Sequence, residues 1–200
     1  MGLLLAALRP LAVMNENVLT LGRTVGCLAM ALMVVAILVQ VFFRYVLNNA
    51  LPWPDEAARF AMLWMTGLMA PTALRRGGFV AIDMLHRFIP HFLAQLLNLF
   101  LLTISLLVLC VAVKIGCNEV TGFGGRFATA SLHIPFSLDF SQWHRVPRSW
   151  MMASLLVGCT LLVMVNIELI IRSLIGLLGG YSKLPPIPEA ETDELPAGAE

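Results

Sequence analysis

Residues Phe92 to Val113 read FLAQLLNLFLLTISLLVLCVAV and contain no charged side chain. A run of this length matches the ~20 apolar residues that an α-helix needs to cross about 30 Å of hydrocarbon. Similar stretches run from Thr24 to Phe43, from Ala57 to Leu74 and from Trp150 to Ile171, and none of the four carries a centrally placed ionised side chain. Because the bilayer core offers no water to backbone groups, the sequence predicts that all four stretches are membrane-spanning helices.

The composition excludes a soluble globular protein. Of the 200 residues, 59% are hydrophobic and only 12% are charged, whereas soluble domains are about 25% charged. The net charge of +1 gives no electrostatic reason to expect nucleic acid as a partner. The period-two alternation of a membrane β-barrel is also absent. The four cysteines include no C-x-x-C pair, so neither a metal site nor a disulfide framework is indicated.

The predicted fold class is therefore an all-α integral membrane protein with four transmembrane helices and short interfacial helices. Residues 1–180 are expected to form the four-span membrane domain. Residues 181–200, rich in proline and glutamate, are expected to form a disordered cytoplasmic tail. Because Arg9 and Pro10 interrupt the early apolar residues, we expect the N-terminus to be a surface segment rather than a cleaved signal peptide.

The connections between the spans differ in length and character. Residues Asn48 to Pro54 indicate a turn, with Pro54 in the first turn of the second helix. Residues Phe79 to Pro90 are too few to span and predict a short interfacial helix. The longest connection is expected from Lys114 to Ser149, with flexible glycines in its first half.

Two pairs of opposite charge have the spacing of neighbours on one helix face. Glu168 and Arg172 are four residues apart near the end of the fourth span, which predicts an ion pair at the membrane edge. Asp55 and Arg59 have the same spacing at the start of the second span, so a pair is expected there as well.

An independent ion-coupled transporter would normally need an ionisable residue deep in the membrane. The nearest acidic candidates, Asp55, Glu56 and Glu168, all lie near span ends. Asn98 and Asn166 lie within spans, but amides in such positions more often join helices than move a solute. The spans therefore favour a protein without a substrate site of its own.

The spans contain no residues suited to haem binding or to catalysis. A haem-binding anchor needs axial ligands that face each other within the membrane, and the histidines fall in connections or at a span edge: His86, His91, His133 and His144. No Ser/His/Asp set, H-E-x-x-H motif or aspartate pair lies in the spans. We therefore expect no enzymatic activity, no cofactor and no metal, and a subunit that acts by contact.

Arg44, Asp55, Glu56 and Arg59 are expected to lie at one edge of the first helix pair, taken as the outer edge. Two interpretations of these charges remain open. The side chains either extend from the helices into the interfacial water, or they meet another subunit, because charges close to hydrocarbon usually find partners.

Several motifs resemble the small membrane subunit of TRAP transporters, the DctQ family. They are FRYVL from Phe43 to Leu47, LPWPDEAAR from Leu51 to Arg59, LWMTG from Leu63 to Gly67, and RRGGFVAID from Arg75 to Asp83. The matching positions are Arg44, Tyr45, Trp53, Glu56, Gly67, Arg76, Gly78 and Asp83. Phe79 departs from the pattern, because the family has a histidine there. The resemblance covers about residues 20–175.

The resemblance implies a tripartite transporter. A periplasmic substrate-binding protein captures an organic acid, and the large TRAP membrane subunit moves it with a sodium gradient. The small subunit would act as a scaffold for the large one. Its partners would be those two proteins and the lipid bilayer.

Within that system, Arg44, Trp53, Glu56 and Arg59 would make the outer-edge contacts, whereas Arg76 and Asp83 would shape the inner turn. The chain is expected in the bacterial inner membrane with both termini in the cytoplasm, because a compact loop with three arginines suits the inner side. The alternative is a self-sufficient, small, homo-oligomeric membrane transporter.

Overall fold

The computed structural model describes residues 2–49, 51–76, 91–122, 127–135 and 143–177. Four helices and two short strands make up this part of the chain. The helices are α1 (Gly2–Tyr45), α2 (Trp53–Arg75), α3 (His91–Thr121) and α4 (Ser149–Leu177). The strands, β1 (Ala128–Pro135) and β2 (Trp143–Pro147), pair antiparallel between α3 and α4.

Three of the described helices are long and apolar enough to cross a membrane. They are α1 from Leu8 to Tyr45, α3 from Phe92 to Thr121 and the whole of α4, with mean hydropathies of 2.6, 2.8 and 2.3. Helix α2 has 23 residues but is less apolar and is not among them. The chain is therefore a multi-pass α-helical membrane protein.

In the described part of the chain α3 packs closely on α4 and hardly on α1 or α2, so the helices form an open layer rather than a closed bundle. Helix α1 packs on α2, α2 packs on α4, and α4 packs on α3, which places the helices in the order α1, α2, α4, α3. A smaller contact joins α1 to α4. Helices α1 and α3 therefore flank the layer, and each presents a broad apolar surface outward. The strand pair packs on α2 through β1 and on α4 through β2.

The two ends of the layer carry different residues. The "Arg75 end" contains the end of α2 together with the first part of α1 and the last part of α4, where Asn15 contacts Glu168. The "Arg44 end" contains the end of α1 and the start of α2. The first part of α1 and the last part of α4 thus lie at the same end of the layer.

The turn between α1 and α2 forms as the sequence predicts. The amide of Asn49 donates to the carbonyl of Phe43 at 3.0 Å, and Asn48 between them has a φ of 50°. The helix therefore ends at a residue in the left-handed conformation, which asparagine tolerates better than most residues. Helix α2 then begins at Trp53, with Pro54 buried in its first turn.

Two expectations from the sequence were wrong, one about the N-terminal segment and one about the longest connection. Arg9 and Pro10 do not separate a surface segment from the first span, because α1 is continuous from Gly2 and has buried Leu8 and Ala12 on either side of the proline. At about 66 Å, α1 is twice as long as the hydrocarbon core is thick.

The connection expected from Lys114 is shorter than predicted, since α3 runs on to Thr121. The all-α membrane class stands, and a short strand pair, β1 with β2, lies within that connection. Main-chain pairing satisfies the polar backbone of a segment that has left the helix. The interfacial helix expected from Phe79 to Pro90 lies outside the described residues, and so does the tail, residues 181–200.

Asparagines join α3 to α4, as the sequence predicts. Asn166 Nδ2 donates to Ser105 Oγ at 3.0 Å, and Asn98 Nδ2 donates to Ser173 Oγ at 3.4 Å. Both amides therefore serve helix packing, where a polar group in hydrocarbon needs a partner.

Helices α2 and α4 approach each other backbone to backbone at two glycines. A Cβ atom on Gly158 would lie 2.8 Å from the Cα of Gly67, and one on Gly67 would lie 2.6 Å from the carbonyl oxygen of Ser154. Both distances are shorter than any ordinary Cβ contact. Glycine is therefore required at both positions for this close packing.

Gly158→Ala should push α2 away from α4 and lower the free energy of unfolding by about 1–3 kcal/mol, the usual cost of overpacking. Thermal unfolding of the purified chain in mild detergent measures the change. Gly116→Ala is a matched control, because its Cβ would meet Leu156 at 3.4 Å or more, an ordinary contact. Equal melting temperatures for the two variants would contradict the close contact.

Candidate functional site

The carboxylate of Glu168 lies on α4 near the Arg75 end of the layer and is completely buried. Its Oε1 atom accepts hydrogen bonds from Arg75 Nη2 at 3.1 Å and from Arg172 Nε at 3.0 Å. Its Oε2 atom accepts one from Asn15 Nδ2 at 2.7 Å. We refer to Asn15, Arg75, Glu168 and Arg172 as the Glu168 cluster.

The Glu168 cluster joins three helices at one point. Asn15 belongs to α1, Arg75 to α2, and Glu168 to α4. The guanidinium of Arg75, which is only 5% exposed, also donates from Nη2 to the carbonyl of Ala12 at 3.1 Å. Charge-assisted hydrogen bonds of this kind are shorter and stronger than neutral ones, so the cluster fixes the relative positions of α1, α2 and α4.

The local sequence around each member of the Glu168 cluster explains how its side chain reaches the Glu168 carboxylate. Ala12, Asn15 and Leu19 are all buried and recur at the spacing of one helix face, so Asn15 points into the packing surface of α1. Arg75 occupies the last turn of α2, where the helix dipole favours a cation. Arg172 follows Glu168 by four residues on α4, which places the two side chains side by side.

The arrangement is suited to holding helices together rather than to binding a solute. Both oxygens of Glu168 are occupied by donors from the protein itself. A buried carboxylate is tolerated only when it is paired and hydrogen-bonded, and these partners supply that compensation. Among the described residues, no three histidine, cysteine, aspartate or glutamate side chains are grouped to hold a metal ion.

The residues predicted for outer-edge contacts lie together at the Arg44 end. Arg44, Trp53 and Arg59 are exposed, and Glu56 is half-buried. The guanidinium of Arg44 lies 5.9 Å from the ring of its neighbour Tyr45. This group is therefore accessible to a partner, but it lies away from the Glu168 cluster.

The predicted inner-turn residues and ion pairs had mixed outcomes. Arg76 is exposed at the Arg75 end, while Asp83 lies outside the described residues. The Glu168–Arg172 pair is confirmed at 2.9 Å. Asp55 and Arg59 are both exposed and do not form the expected ion pair within the described part of the chain. Because both side chains are exposed, water solvates both charges, and an ion pair would add little to the stability of the fold.

Sequence reasoning missed the roles of Arg75 and Asn15. A carboxylate in an apolar run needs more compensation than one neighbour on its own helix can offer. Arg75 ends α2, which runs in the same direction as α4 and finishes at the same end of the layer, so its cation was the natural counter-charge. Nothing in the sequence marked Asn15 as a partner of Glu168, because it precedes the stretch that was expected to span the membrane.

Comparison with protein families identifies the chain. Residues 33–176 match the family model described as Tripartite ATP-independent periplasmic transporters, DctQ component. The matched region includes three members of the Glu168 cluster and all the residues predicted at the Arg44 end. Neither the curated proteins nor the solved structures gave a match. Because the family model covers well over half of the chain, this protein belongs to the DctQ family of tripartite ATP-independent periplasmic transporter components.

Proposed function

We propose that this chain is the small, non-transporting membrane subunit of a sodium-coupled organic-acid uptake system. It acts as a scaffold for the large membrane subunit, and a periplasmic substrate-binding protein docks on the assembly. The observation that carries the proposal is the complete engagement of the Glu168 carboxylate by side chains of the same chain.

That engagement matters because a coupling ion needs oxygen ligands that the protein has left available. The other acidic side chains in the described helices are exposed or half-buried: Glu16, Asp55, Glu56 and Glu119. Glu168 is the buried acid in this part of the chain, and Asn15, Arg75 and Arg172 already compensate it. Transport and sodium coupling are therefore assigned to the large subunit.

The surface of the layer supports a scaffold role. Only 11% of the apolar window of α1 and 6% of that of α3 are buried within the chain, compared with 33% for α4. Phe92, Phe100 and Leu107 on α3 are all more than 60% exposed. An apolar face of this kind suits lipid or another membrane subunit, and an open layer offers it over a large area.

The proposal includes a fourth span and a defined orientation. Helix α2, about 35 Å long by its residue count, lies between α1 and α4 and is taken as the fourth span. We place the Arg75 end in the cytoplasm of a bacterium, with both termini there, and the Arg44 end in the periplasm. Arg44, Trp53, Glu56 and Arg59 then face the binding protein, while Arg76 and Asp83 shape the cytoplasmic turn.

Reconstitution tests the proposal directly. Liposomes that contain this chain alone should show no sodium-driven uptake of organic acids in the presence of the binding protein. Liposomes that contain the chain with its large subunit should show uptake, because the partner supplies the ion and substrate sites. Uptake by the chain alone would instead support a self-sufficient homo-oligomeric transporter.

Glu168→Gln should destabilise the protein by about 3–5 kcal/mol, because it leaves the buried Arg75 and the largely buried side chain of Arg172 without a counter-charge. The large subunit should co-purify in smaller amount, in proportion to the lost folded chain. Thermal unfolding and quantitative co-purification measure the two effects. Glu119→Gln is the matched control, because this exposed glutamate on α3 should tolerate the same change.

One outcome separates the scaffold from a role in ion coupling. If Glu168→Gln yields normal amounts of intact complex and abolishes sodium-dependent uptake per complex, Glu168 takes part in coupling and the scaffold assignment is wrong.

Glu56→Ala should weaken co-purification of the large subunit or binding-protein-dependent uptake without preventing membrane insertion. Its half-buried position at the Arg44 end places it where a partner can cover it. Asp55→Ala, one residue earlier and fully exposed, controls for the loss of charge. Unchanged assembly and uptake in Glu56→Ala would remove this residue from the contact surface.

A further inference from the structure

A small polar cavity lies between α1 and α2 at the Arg75 end, beside the Glu168 cluster. Its volume is about 120 Å³. Pockets for drug-sized ligands measure about 300–1,000 Å³, so this cavity suits a single compact group. Its lining residues are Glu16, Leu19, Thr20, Arg23, Thr72, Arg75 and Arg76.

The charges around the cavity favour an anion. Three arginines and one glutamate line it. Arg75 is committed to Glu168, whereas Arg23 and Arg76 form no ion pair within the described residues. The carbonyl end of α2 lies close by and disfavours anions. Any anion here must therefore depend on the guanidinium groups of Arg23 and Arg76.

The hydroxyl of Thr72 provides an independent indication of a ligand. It is buried and makes no hydrogen bond within the described part of the chain. Five other helical threonines in the described residues donate to the carbonyl four residues earlier: Thr24, Thr66, Thr103, Thr121 and Thr160. Thr72 lines the cavity, and a buried hydroxyl without a partner is costly. An acceptor oxygen inside the cavity would satisfy it.

The surface next to the cavity is suited to an acyl chain. From Arg23 towards the centre of α1, the same helix face continues through Cys27, Met30 and Val34. All three side chains are exposed, with Met30 at 52% and Val34 at 44%. A ligand whose anionic group sits in the cavity can therefore lay an apolar tail along α1, which a free phosphate ion cannot do.

We propose that this cavity binds the phosphate group of an anionic phospholipid, held by Arg23, Arg76 and the Thr72 hydroxyl, with one acyl chain along α1. A guanidinium group can donate two parallel hydrogen bonds to two oxygens of one phosphate. Basic pockets between membrane helices commonly hold lipid head groups. The lipid would cover the junction of α1 and α2 where these helices meet the Glu168 cluster.

Native mass spectrometry of the purified full chain tests the site, with phosphatidylglycerol or phosphatidylcholine titrated in. The combined variant Arg23→Gln and Arg76→Gln should retain phosphatidylglycerol about tenfold less than the unmodified chain, because two charges near the head group are lost. Thr72→Val should lower retention about fivefold without a change in charge. Retention of phosphatidylcholine should change little in either variant.

The control is the combined variant Arg44→Gln and Arg59→Gln, which removes two exposed arginines at the opposite end. It should retain phosphatidylglycerol as the unmodified chain does, and circular dichroism should show equal helix content in all variants. Equal retention by the control and the Arg23/Arg76 variant would overturn the site. Displacement of phosphatidylglycerol by excess inorganic phosphate would show a free-anion site and overturn the lipid assignment.

Discussion

The ion pairs of Glu168 with Arg75 and Arg172 are the constraint on which the arrangement of the helices depends. A carboxylate in an apolar helix cannot remain uncompensated, so α1 and α2 must bring donors to it. Asn15 and Arg75 do so from two other helices. The result is one polar junction that sets how far α1, α2 and α4 slide along one another. The glycine contact between Gly67 and Gly158 then sets how closely α2 and α4 approach.

The open layer follows from where these contacts lie. Helix α3 is joined to α4 by amide–hydroxyl pairs and takes no part in the junction, so it stays at one flank while α1 forms the other. A closed bundle would bury an inward-facing stripe of every helix in one shared core. A layer instead leaves two broad apolar surfaces, one on α1 and one on α3. This geometry supports the proposal that the chain works by contact with larger partners.

The two ends of the layer differ in what they offer. At the Arg44 end, exposed charged and aromatic side chains stand free of the helix junction and are open to a soluble partner. At the Arg75 end, the charges are drawn inward by Glu168, and the remaining arginines border a cavity at the lipid boundary. A lipid there would protect the junction from water, which would otherwise weaken its ion pairs by raising the local dielectric constant.

The sequence by itself determined the membrane class, the approximate positions of the helices, the turn at Asn48 and the Glu168–Arg172 pair. These follow from hydropathy, from turn chemistry and from spacing along one helix, all of which are local properties. It also indicated the family, through motifs between Phe43 and Asp83. Only the tertiary structure decided the layer order, the continuity of α1 past Pro10, the strand pair and the convergence of Asn15 and Arg75 on Glu168. Those features depend on which helix faces meet across the layer, and residues 153 positions apart in the chain, such as Asn15 and Glu168, carry no mark of their proximity until the helices pack.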